Sequence, residues 1–167
     1  MNRKQTLSTI AFNKVPTRVF RLCISICLLA GILSTTGCKK LIEDIQRNWA
    51  EDYFEDNIME RNFRITYAHN GTDDITSMFT GYTFVLYKNT FYDGPLTATK
   101  DGVTYNGTWA CNEDYGKLTI LLTHPDPAGS GFNFLTRSWR FTRKAIPVLE
   151  FAPWGSSQPH VLHMVRF

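Results

Sequence analysis

Residues 62–167 predict an all-β fold, a small antiparallel up-and-down barrel of about eight strands, with a β-sandwich as the alternative. Three observations carry this. Short runs alternate apolar and polar residues with the period of two that strands require. Gly, Pro, Asn and Asp clusters punctuate the runs at fairly regular spacing, and β-branched and aromatic residues fill them.

The chain does not begin with that pattern. Its first 21 residues hold Arg3, Lys4, Lys14, Arg18 and Arg21 and no acid, and Leu22 to Leu33 (LCISICLLAGIL) carries no charge. A positive end followed by a short apolar core is the order of a signal peptide; about 12 residues are too few to span a bilayer as a helix. Ser34-Thr35-Thr36-Gly37-Cys38 follows, with small residues leading to a cysteine. This resembles a lipobox, with Thr35 where the motif usually has Leu. The resemblance implies cleavage after Gly37, a diacylglyceryl group on the sulfur of Cys38, and attachment to a membrane through that lipid. With more than one acyl chain the attachment is stable. Lys39-Lys40 stands where an inner-membrane retention aspartate would stand, so the expected address is the outer membrane.

Removing residues 1–37 takes five of the 18 basic residues and none of the 15 acids, so the remaining 130 residues carry a net charge of −2. The basicity of the whole chain belongs to its targeting segment. No basic patch with interleaved aromatics remains, which argues against nucleic acid as a partner; Arg137, Arg140, Arg143 and Lys144 read as solvent-facing residues around one strand. Cys23 and Cys27 leave with the signal. If Cys38 is acylated, Cys111 has no disulfide partner and reads as a small buried apolar residue.

Residues 38–61 have a different texture. Leu41, Ile45, Trp49 and Ile58 recur near helical spacing among Glu43, Asp44, Glu51, Asp52, Glu55 and Asp56. A short helix, or a tether between lipid and domain, is expected there.

The strands then follow in order. Phe63 to His69 alternates Phe63, Ile65 and Tyr67 against Arg64, Thr66 and Ala68 before Asn70-Gly71. Tyr82 to Lys88 sets Tyr82, Phe84 and Leu86 on one face. Leu96 to Thr99 runs into Asp101-Gly102, a two-residue hairpin signal. Val103 to Cys111 returns with Tyr105, Gly107 and Trp109 aligned, and Lys117 to Thr123 aligns Leu118, Ile120 and Leu122. Beyond the Pro- and Gly-rich loop His124 to Gly131 come Leu135 to Arg143, Ile146 to Phe151 and Val161 to Phe167.

Phe63-Arg64-Ile65-Thr66 with Asp73-Asp74, Phe79-Thr80-Gly81-Tyr82-Thr83-Phe84, Leu96-Thr97-Ala98, Gly107-Thr108-Trp109, Lys117-Leu118-Thr119-Ile120 and Leu135-Thr136-Arg137-Ser138-Trp139 occur in this order. In that arrangement the β region resembles the lipocalin-like lipoproteins found in Bacteroidetes, whose members often have Trp where Phe63 stands. The resemblance implies a small barrel on a lipid anchor. It implies little about ligand, because fold does not fix function.

Catalytic signatures are missing from the sequence: no G-x-S-x-G elbow, no H-E-x-x-H and no Walker loop. His124, Asp126 and Ser130 share one loop without the spacing of a triad, Glu113-Asp114 suits a turn, and the odd separation of His160 and His163 puts them on opposite faces of a strand. The expectation is therefore a non-enzyme with no cofactor and no metal. Strand aromatics are the remaining signal. Tyr82, Phe84, Tyr105, Trp109 and Trp139 are the candidate lining of an apolar pocket for a small hydrophobic ligand. The competing expectation is a solidly packed barrel acting as a structural or protein-interaction module of the envelope.

Overall fold

The alternating runs form eight antiparallel strands: β1 (Asn62–His69), β2 (Thr83–Leu86), β3 (Asp93–Lys100), β4 (Val103–Cys111), β5 (Lys117–Leu122), β6 (Arg137–Ala145), β7 (Val148–Pro153) and β8 (Val161–Arg166). Each pairs with its neighbour in sequence, and β8 returns to β1 through pairs such as Arg64 with Val165, closing the barrel. Closure leaves no unpaired edge, so the sandwich alternative is set aside. A computed structural model supplies these coordinates and describes residues 42–126 and 130–167; the expected signal segment 1–37 and Cys38 lie outside the described residues.

Period-two alternation decides what the barrel encloses. Along β3, Gly94, Leu96 and Ala98 are buried while Asp93, Pro95 and, less fully, Thr97 face out. In β5, Leu118, Ile120 and Leu122 point in, and in β8 Leu162 and Met164 do. The Asp101-Gly102 turn takes left-handed φ of 50° and 78° at its two positions, which is what a tight β3–β4 hairpin needs and what Asp-Gly tolerates. At Gly94 the requirement is steric: a Cβ there would sit 1.9 Å from the carbonyl oxygen of Tyr87. That same carbonyl accepts the indole N–H of Trp109 at 2.7 Å.

Both ends of the barrel are sealed from within. Helix α1 (residues 42–57) lies at the end where β2, β4, β6 and β8 finish. Phe54 at 0% exposure, with Ile58 and Met59 at 1%, enters the core from it and from the residues that follow. Phe54 meets Tyr115 at 4.6 Å, Trp109 at 5.7 Å and Phe141 edge-on at 6.2 Å between ring centroids. Polar contacts fix the helix: Lys88 Nζ donates to Glu55 Oε1 at 2.6 Å, Tyr53 Oη to the Lys144 carbonyl at 3.1 Å, and Tyr92 Oη to Glu51. The compact unit therefore runs from Ile45 to Phe167. Of the short helix or tether expected over 38–61, residues 42–57 form the helix, and from Ile45 on it belongs to the fold, because its Phe54-Ile58 stripe is apolar and the barrel floor buries it.

At the other end a 3-10 turn (Thr76–Phe79) and a helical turn α2 (Phe132–Leu135) send in Phe79, Phe132, Phe134 and Leu135. Leu135 thus belongs to a plug and not, as its alternation suggested, to the start of β6. Two bulges also shift the expected faces. The register slips between Ile65 and Tyr67, so Ala68 takes the inward position and Tyr67 packs beside His163 at 5.2 Å. A second slip falls between Phe141 and Arg143.

Candidate functional site

The five aromatics expected to line a pocket are distributed through the barrel and do not share one wall. Phe84 and Trp109 are 1% exposed and Trp139 0%. At such values almost none of the ring is open to solvent. Their polar atoms are also satisfied inside the protein: Trp139 Nε1 donates to the Leu135 carbonyl at 3.0 Å, as Trp109 does to Tyr87. Trp109 belongs to the floor with Phe54, while Trp139 packs on Phe134 at 5.2 Å and Phe151 at 6.5 Å. These three are core residues, as close packing in a narrow barrel requires.

Tyr82 and Tyr105 are at the mouth. Their rings are 6.1 Å apart, and both meet Phe132, at 5.3 and 5.5 Å. His124 stacks on Tyr105 at 4.4 Å. Phe132, carried on α2, occupies the space that a ligand between these tyrosines would take. Burial, with Tyr105 beside it, raises the pKa of Tyr82.

Arg137 was expected in solvent, yet β-alternation places it on the same inward side as Trp139. Its guanidinium lies 5.3 Å from the Phe134 ring and 5.5 Å from that of Trp139, and Nη1 contacts His160 Nδ1. Ring faces thus replace the carboxylate that such a group usually finds. Burial lowers the pKa of Arg137; burial and the neighbouring guanidinium lower that of His160.

Other candidate groups have structural partners. The backbone N–H of Asp126 donates to His124 Nδ1 at 2.7 Å, and Ser130 Oγ accepts from Phe132 N at 3.3 Å. Asp114 Oδ1 accepts from Gly116 N at 2.7 Å, which is turn chemistry. The Cys111 thiol is pushed up to about 12 by burial and packs against the core. Among the described residues no group of three or more His, Cys, Asp and Glu could hold a metal ion.

An open apolar site lies elsewhere, between α1 and the barrel floor. Ile45, Trp49, Tyr53 and Phe54 of the helix face Tyr115 and Lys144 across a groove of about 490 Å³. Trp49 is 79% exposed and Ile45 54%, high values for large apolar side chains in one patch. Tyr115 explains the shape of the groove. It lies in the β4–β5 turn with a left-handed φ of 52°, yet its ring is buried and its hydroxyl donates to the Phe91 carbonyl at 2.7 Å. Lys144 Nζ donates to the Tyr115 carbonyl at 2.5 Å, and partial desolvation there lowers its pKa.

From the sequence Ile45 and Trp49 stood out only as helix-spacing residues and Lys144 only as a solvent-facing one, and Tyr53 and Tyr115 were not singled out. The available signal was the helix itself: at 100° per residue, Ile45, Trp49 and Tyr53 fall on one flank and Ala50, Phe54 and Ile58 on the adjoining one. An apolar stripe that wide exceeds what one contact with a barrel floor can cover.

No protein-family model matches the chain, and no curated protein matches it. Among solved structures it is similar to a DUF4847 family protein from Bacteroides vulgatus, with 13% identity and a TM-score of 0.48 over 67% of this chain and 96% of that one.

Proposed function

We propose that this chain is an envelope lipoprotein, held to the outer membrane by lipid on Cys38, whose barrel is a solid body and whose binding surface for hydrophobic molecules is the groove beneath α1. The observation that carries the reading is the groove itself. Its volume of about 490 Å³ falls within the range of small-molecule sites, and its walls are apolar with one cation at the edge. A second groove of about 470 Å³ beside Trp109 is bordered by Asn89, Asp93 and Thr108 and is the more polar of the two.

Binding of an apolar fluorescent probe, anilinonaphthalene sulfonate, to the chain lacking residues 1–38 is the direct test, because that chain retains the whole compact unit. Saturable binding is expected, weakened about tenfold or more by Trp49→Ala, in line with the loss of a central aromatic anchor. Binding that Trp49→Ala leaves unchanged would remove the groove from consideration. The anchor is tested separately. An alkyne fatty acid fed to cells is expected to label the wild-type chain and to leave Cys38→Ala unlabelled; a persisting label would place the lipid elsewhere.

A further inference from the structure

We infer that the occupant of the groove is the phospholipid surface to which Cys38 tethers the protein: Ile45 and Trp49 enter the acyl boundary and Lys144 meets the headgroup phosphates. The inference rests on the lipid-anchor reading of Cys38 and goes beyond it, because an anchor alone leaves the domain free to tumble above the membrane. Chain length makes the contact unavoidable to sample. Ile45 is seven residues from Cys38, a separation that cannot exceed about 25 Å even fully extended. The first turns of the compact unit therefore stay within reach of the interface.

Chemistry then selects the side that touches. Trp and a branched aliphatic neighbour one helical turn apart suit the boundary between headgroups and acyl chains, where an indole keeps its N–H wet and buries its rings. Of the helix acids, Glu51 and Glu55 lie away from Trp49, and the exposed Asp52 and Asp56 follow Trp49 on the side of the helix farther from Cys38 in sequence. Glu51 accepts from Tyr92 and Glu55 pairs with Lys88 at 2.6 Å, so both are held against the barrel on the flank away from Trp49. Lys144, at the groove edge, adds the sign of charge that a phosphate attracts.

The test uses the lipidated protein in vesicles of phosphatidylethanolamine and phosphatidylglycerol whose acyl chains are brominated, with iodide as the quencher in the water. Trp109 and Trp139 are buried, and Trp154 is the other exposed tryptophan among the described residues, so Trp49→Phe and Trp154→Phe separate the signals. Brominated chains are expected to quench wild type and Trp154→Phe, and Trp49→Phe is expected to lose most of that quenching. A Trp49 that iodide reaches as freely on vesicles as off them overturns the inference. A Trp49 shielded from iodide and brominated chains alike also overturns it and assigns the groove to a protein, such as a second copy. The probe-binding result distinguishes the failures: a groove that takes the apolar probe while Trp49 stays in water leaves the binding reading standing without the membrane, whereas loss of both removes both.

Discussion

Stability should fall steeply between about pH 10 and about pH 12. Three groups around the floor are held neutral well beyond their ordinary range. Burial pushes the Cys111 thiol up to about 12 and drives Tyr115 higher still, and the hydrogen bond to Glu51 raises Tyr92 to about 12. In the unfolded chain the same groups release their protons near 9 for the thiol and 10 for the phenols. The folded state therefore binds more protons than the unfolded state throughout this window. Each such group contributes stability that is fully present below its unfolded value and is lost as pH rises toward its folded one. The slope is at most about 1.4 kcal/mol per pH unit for each group. Taking only Cys111 and Tyr115 over two pH units gives an upper bound of about 5 kcal/mol, comparable with the whole stability of a small domain. Cys111 is partly exposed, which makes its share the smaller. Urea unfolding at a series of alkaline pH values reads the slope directly, and Cys111→Ala should make it shallower. A free energy that is flat to about pH 11 would mean that these groups titrate freely in the folded protein.

The same groups show where sequence reasoning stops. Strand existence was legible because alternation is a local property: Val103 to Cys111 was expected and observed with the same bounds, and Asp101-Gly102 turns as its residue types require. The barrel was expected from the strand count and the short turns, and it is observed; alternation by itself left the sandwich open, because the pairing of β1 with β8 joins residues about a hundred positions apart and leaves no local trace. Bulges defeat the alternation rule in turn. One extra residue after Ile65 rotates Tyr67 outward without altering the composition of the strand. The five candidate lining aromatics are spread through the barrel for a third reason. Aromatic content predicts apolar volume, but whether the volume is filled depends on plugs from elsewhere, here Phe54 from α1 and Phe132 from α2. Tyr115 was hidden by its own setting, a polar turn of Asn112, Glu113, Asp114 and Gly116, where only tertiary structure reveals a buried ring.

Phe54→Ala is expected to lower stability by about 3–5 kcal/mol, the range for deleting a fully buried phenylalanine ring. For a domain of this size that corresponds to a fall in melting temperature on the order of 10–20 °C. The ring is 0% exposed and packs against three others, Trp109, Tyr115 and Phe141. No neighbour can collapse into the space it would leave. Trp109 is fixed by its bond to Tyr87, Tyr115 by its bond to Phe91, and the helix backbone by Glu51, Tyr53 and Glu55. Trp49→Ala, one and a half turns earlier on the same helix, is the contrasting case: its side chain is 79% exposed, and its removal should change stability by no more than about 0.5 kcal/mol. The pair separates the two roles of α1. If the helix were only a tether, both variants would melt with wild type; if it is the floor of the barrel, Phe54→Ala melts early while Trp49→Ala keeps the fold and loses the groove. A Phe54→Ala melting temperature within about 2 °C of wild type would return residues 45–61 to the tether and leave the floor of the barrel without its plug.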